Sequence, residues 1–148
     1  METGLSILQQ IKESFACDGV DVRTYSPLTL AFIGDCVFDL IVRTVIVERG
    51  NRAPDGLHKK KSKVVKAQTQ ALMIEALSLS EELTEEEMSL YRRGRNAKSY
   101  TTAKNASVGE YRKATGFEAL IGYLYLTDRM ARILELTKRG LELVEIEI

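Results

Sequence analysis

The sequence predicts an all-α fold. Three observations carry that reading. Only two prolines occur in 148 residues, so most of the chain is free to be helical. Apolar residues recur at helical spacing through long stretches. Helix-start signals stand in front of those stretches: Ser26 before Pro27, Thr84 with Glu87, and Ser107 with Glu110. The length fits one domain, 1–148. It is long enough to bury a core without disulfides or a structural metal.

In chain order, a first helix is expected over 5–16, where Ile7, Ile11 and Phe15 share one face. Residues 17–25 read as a loop. A second helix is capped by Ser26, starts at Pro27, runs to Arg49 and stops at Gly50. It is apolar almost all round, so it is expected to be the central core helix. A loop with Pro54 and Gly56 leads to a third helix over 57–78. The Thr84/Glu87 capping box opens a short helix that should end at Gly94, with 94–109 as loop. Ser107/Glu110 opens a helix to Thr127, and a last helix covers about 129–147 with a break allowed at Gly140.

The apolar run 27–47 contains Asp35, Asp39 and Arg43. Mid-membrane charges cost about 2.5–3.5 kcal/mol each, so a buried helix of a soluble protein fits better than a membrane span. The N-terminal residues lack a basic stretch followed by a long apolar one, so cytoplasm is the expected compartment. Cys17 and Cys36, the only cysteines, are then reduced, and Cys36 is expected in the core. No CxxC occurs and His58 is the single histidine, which argues against zinc.

The chemistry is expected at Asp35 and Glu118. Asp35, Asp39 and Arg43 form one helical stripe, and Asp39 can pair with Arg43. Asp35 lies two turns from Arg43, about 12 Å, and has no such partner. Glu118 is the only charged residue between Lys113 and Asp128. A lone carboxylate on an apolar helix is costly unless it is paired or binds a cation. Two of them on two core helices can share one. Oxygen ligands select Mg²⁺ or Mn²⁺, and Mg²⁺ keeps open positions for water and phosphate. That suits phosphodiester hydrolysis through a metal-activated water. The competing reading is that each acid is simply exposed or hydrogen-bonded at the surface.

Net charge is zero, yet the charges segregate. Lys59, Lys60, Lys61, Lys63 and Lys66 cluster at the third helix. Arg92, Arg93, Arg95, Lys98 and Lys104 fall in an acid-free stretch with Asn96 and Asn105. Glu75, Glu81, Glu82, Glu85, Glu86 and Glu87 form an opposing acidic block. Cations mixed with amides and hydroxyls suit phosphates and 2′-hydroxyls, so RNA is the expected partner. The alternatives are a solvated face and helix-dipole matching by Arg92 and Arg93. His58 reads as a phosphate contact or cap rather than a base.

Two segments carry a resemblance. FIGDCVFDL resembles the signature helix of ribonuclease III, and GFEALIGYLYL resembles that family's second catalytic helix. DGLHKKKSKVVKAQ and RRGRNAKSYTTAKN resemble the Mini-III branch, which has the catalytic domain without a double-stranded-RNA-binding domain. The resemblance spans about residues 25–127 and implies the ribonuclease III catalytic-domain fold as a homodimer. It implies a Mg²⁺-dependent endoribonuclease that cuts each strand of a duplex, leaving 5′-phosphates and 3′ overhangs. Asp35 matches the metal-binding Asp of the GD pair and Glu118 the metal-binding Glu of FEAL. Full-length members carry two further acids where this chain has Ala31 and Thr115, which leaves metal number open. Phe32 and Phe38 are candidates for the dimer interface, with intrasubunit core as the alternative for both. The branch implies precursor RNA of the large ribosomal subunit (23S) as substrate, with a ribosomal protein that shapes it. The runner-up reading is an idle helical RNA-binding factor of ribosome assembly; a structural helical dimer is a third.

Overall fold

A computed structural model describes residues 4–98 and 107–148, and among these every regular element is helical. The elements are α1 (Ile7–Ser14), α2 (Pro27–Glu48), α3 (Pro54–Val65), α4 (Ala67–Leu79), α5 (Glu85–Asn96), α6 (Val108–Leu126) and α7 (Met130–Leu143). A short 3₁₀ turn, Val22–Thr24, interrupts the segment expected as plain loop.

The helix starts follow local chemistry. Ser26 caps α2 by accepting from the Thr29 amide, with Pro27 at the first position. Thr84/Glu87 and Ser107/Glu110 form reciprocal capping boxes, and Ser6/Gln9 forms one the sequence reading passed over.

Two boundaries differ from expectation. The third helix is two helices, because Lys66 adopts an extended conformation (ψ 154°) between α3 and α4. Side chains replace the backbone bonds lost there: Thr69 Oγ1 donates to the Lys63 carbonyl (2.6 Å) and Gln70 Nε2 to that of Val65 (2.7 Å). Gly94 does not end α5, which continues to Asn96. It lies against α6, where a Cβ would come within 2.8 Å of the Gly116 Cα. The last helix runs through Gly140 and ends at Leu143.

The central helix is α6 rather than α2. Every residue from Ala114 to Leu124 except Glu118 is buried, and α2, α4, α5 and α7 pack around it. Phe117 meets Phe38 of α2 edge to face, with ring centroids 5.1 Å apart. The contact leaves α2 with a bare apolar face along Leu28, Phe32, Cys36 and Leu40. Cys36 is therefore exposed and not a core residue. Phe32 is 81% exposed, whereas Phe38 is fully buried. Phe38 belongs to the subunit core and has no surface to offer a partner. No helix among the described residues is long and apolar enough to cross a membrane.

The acidic block is largely neutralised. Glu75 pairs with Lys113 (2.6 Å), Glu86 with Arg129 (3.0 Å) and Glu82 with Arg139 (2.7 Å). The buried Glu87 binds Arg132 through both oxygens, each at 2.8 Å, while closing the Thr84 capping box. Burial pushes Glu87 upward, but Arg132 and the capping amide outweigh it and hold the carboxyl below its ordinary range. Arg132→Met would strand a buried carboxylate, and breaking such pairs costs about 3–5 kcal/mol. Arg132 is partly exposed, so the lower end applies. Because the folded-state pKa is depressed, the contribution is present at neutral pH and fades as pH falls through that value. Thermal unfolding should show a deficit near neutrality that narrows below the carboxylate range.

Candidate active site

The site lies where α2 crosses α6. Gly34 and Gly122 allow the two backbones to touch. A Cβ on Gly34 would stand 1.8 Å from the Glu118 carbonyl oxygen, and one on Gly122 would stand 1.9 Å from that of Leu30. Each glycine is tied to a site acid: Gly34 precedes Asp35, and Gly122 lies one turn beyond Glu118. The close crossing brings these two carboxyl groups into hydrogen-bonding reach of one another. Asp35 is exposed and Glu118 half-buried, so the pair sits at the mouth of the crossing.

Burial, with the Asp35 carboxyl beside it, pushes Glu118 up to about 9; a bond from Gln70 acts in the opposite sense. Two carboxylates this close cannot both ionise without a proton or a cation between them. The donor set is all oxygen, the kind that takes a hard divalent ion. Among the described residues no third His, Cys, Asp or Glu completes a larger ligand group. Ala31 and Thr115, one turn before each acid, are buried, and the Thr115 hydroxyl donates to the Tyr111 carbonyl (3.0 Å). Gln70 is a neighbour the sequence reading missed. Its side chain is 1% exposed and its Nε2 donates to Glu118 Oε2 at 3.3 Å. Only its place in an apolar stretch of α4 marks it in sequence.

The cationic residues divide. Asp39 receives Arg43 Nε at 2.8 Å, the expected pair, and also Lys61 Nζ at 3.4 Å. Lys61 is thus held one turn from Asp35, while Lys59 is exposed and Lys60 half-buried on α3. His58 is exposed at the rim of a small cleft between α2 and α3, away from the paired acids. Arg92 and Arg93 lie on α5 as expected, and Arg95 and Asn96 form its last turn rather than the start of a loop, followed by Lys98. Arg93 Nη2 reaches the Tyr25 carbonyl (3.5 Å), and Arg95 stacks over the Tyr91 ring at 5.5 Å. Lys104 and Asn105 lie outside the described residues.

The chain matches the ribonuclease III domain over residues 28–129 and belongs to that family of endoribonucleases. Among its relatives, the Mini-ribonuclease 3 of Thermoanaerobacter is 49% identical over 124 residues, covering 82% of this chain and 86% of that protein. The Mini-ribonuclease 3 of Staphylococcus aureus is 45% identical, over 83% of this chain and 92% of that protein. The crystal structure of protein FN1578 from Fusobacterium nucleatum superposes with a TM-score of 0.73 at 31% identity, covering 84% of this chain and 99% of that one.

Proposed function

We propose that this chain, as one catalytic domain, cuts both strands of double-stranded RNA with a Mg²⁺ ion held by Asp35 and Glu118. The observation that carries the assignment is the convergence of two acids, neither in an ion pair among the described residues, at a glycine-tightened helix crossing. A bound Mg²⁺, or Mn²⁺ in its place, supplies an activated water and offsets charge on the scissile phosphate. Asp35 and Glu118 supply its protein oxygens. Cationic and amide side chains bind and orient the duplex: Lys59, Lys60 and Lys61 on α3, and Arg92, Arg93, Arg95, Lys98 and Lys104 with the amides of Asn96 and Asn105 in the 92–105 segment.

Kinship with the Mini-ribonucleases 3 supports cytoplasmic processing of precursor large-subunit (23S) ribosomal RNA, with a ribosomal protein shaping the substrate. Products carry 5′-phosphates. A homodimer places two sites on one duplex, one for each strand. The bare face of α2, led by Phe32, is its proposed contact, since contiguous exposed apolar surface favours self-association.

The duplex grip is tested by salt. Each phosphate neutralised contributes a log–log slope of about −0.9 on B-DNA. Replacing Arg92, Arg93, Arg95 and Lys98 with alanine should flatten the slope of RNA binding and raise KM. The fold should survive, because surface substitutions usually cost within about 0.5 kcal/mol each. Binding is measured in an Asp35→Asn background so that no cleavage intervenes. A slope unchanged by the four substitutions would place the grip elsewhere.

A further inference from the structure

The amide of Gln70 occupies an unusual position. It is buried, and both hydrogens of its Nε2 are aimed at acceptors: the Val65 carbonyl at 2.7 Å and Glu118 Oε2 at 3.3 Å. The Val65 carbonyl can only accept, so the orientation of the amide is fixed: turning it over would set oxygen against oxygen at that contact. The arrangement leaves Gln70 Oε1 buried with no hydrogen-bond partner among the described residues. Leaving a buried carbonyl unpaired is destabilising, and a purely structural residue at this position has no need of it.

The Val65 carbonyl is available because Lys66 breaks the helix there. Gln70 therefore links the end of the lysine-bearing helix α3 to the Glu118 carboxylate of α6. The link spans α3, α4 and α6 through a single side chain.

We propose that Gln70 is a positioning residue for the catalytic site: its amide fixes the rotamer of Glu118 so that this carboxylate and Asp35 face one divalent cation. The inference rests on the metal reading proposed above. Gln70 touches neither substrate nor metal; it acts through Glu118. Outer residues that orient ligands in this way typically contribute 10–100-fold to metal affinity or activity.

The test is Mn²⁺ binding by titration calorimetry on the full chain, with RNA absent. Gln70→Met keeps length and volume but removes the amide. It should weaken Mn²⁺ binding by about 10–100-fold and lower kcat in step, while KM for the duplex stays near the wild-type value. In a Glu118→Gln background the same substitution should have no further effect on Mn²⁺ binding, which a general structural role would not produce. The wild-type protein supplies a measurement free of any folding defect: the Gln70 side-chain amide signals in ¹⁵N NMR should shift when Mg²⁺ is added. If Asp35→Asn weakens Mn²⁺ binding but Gln70→Met does not, the positioning role is overturned and the metal site stands. If neither substitution weakens it, both fall. Gln70 amide signals unmoved by saturating Mg²⁺ would also overturn the role.

Discussion

Asp35→Asn and Glu118→Gln should each lower single-turnover cleavage by about 10³-fold or more while leaving duplex binding intact. Metal stabilisation of transition-state charge is worth several kcal/mol, and each 1.36 kcal/mol is tenfold. Either substitution keeps size and shape, so the lost quantity is ligand charge. The two variants should also differ from wild type in stability, with the opposite sign to their effect on rate. Without a cation, Glu118 is pushed up to about 9 by burial and by Asp35. A raised carboxyl favours the folded state fully below its ordinary range, and that support is lost as pH climbs toward about 9. Metal-free Glu118→Gln should therefore melt higher than metal-free wild type at pH 8, and adding Mg²⁺ should close the gap. A functional site that opposes stability is a common trade. Near-wild-type cleavage by either variant would remove that residue from the site.

Gly34→Ala and Gly122→Ala should be the most damaging single-atom-group additions in the protein. Each new Cβ would lie less than 2 Å from a carbonyl oxygen of the facing helix: Glu118 for Gly34 and Leu30 for Gly122. Backbone cannot rotate aside as a side chain can, so α2 and α6 must separate. Overpacking costs about 1–3 kcal/mol when side chains yield and more when they cannot, so a loss of about 3 kcal/mol or greater is expected. At this chain length that lowers the melting temperature by roughly 10 °C. Cleavage should fall even where the variant stays folded, because the crossing sets the approach of Asp35 to Glu118. Gly56→Ala is the control. Its Cβ would meet nothing closer than Arg52 Cβ at 4.0 Å, and Gly56 lies inside α3. Alanine there should gain about 0.5–1 kcal/mol. Equal melting of Gly34→Ala and wild type, measured by calorimetry, would contradict the close crossing.

Much of this is legible in the amino-acid sequence. The capping residues Ser26, Thr84 and Ser107 mark helix starts through local hydrogen bonds, and local chemistry is readable in sequence. The two site acids stood out because carboxylates on apolar helices need a reason to be there. What sequence left hidden depends on the far side of each helix. Gly94 reads as a helix stop, yet it stays in α5 because α6 packs against it. The break at Lys66 carries no glycine or proline; Thr69 and Gln70 support it by bonding carbonyls several residues back. The acidic block seemed to oppose the lysines, but its partners, Arg129, Arg132 and Arg139, lie some 40–60 residues onward. Phe32 and Phe38 look alike in sequence and differ by six residues; one faces solvent and the other Phe117.

The central claim is that Asp35 and Glu118 hold one divalent ion that cuts duplex RNA. Its most direct test is end-labelled double-stranded RNA incubated with the wild-type chain and with Asp35→Asn, each with Mg²⁺ and with chelator. The account predicts staggered cuts in both strands, with 5′-phosphate ends, from the wild type with Mg²⁺ alone. Cleavage that persists in chelator, or that Asp35→Asn supports at the wild-type rate, would contradict it.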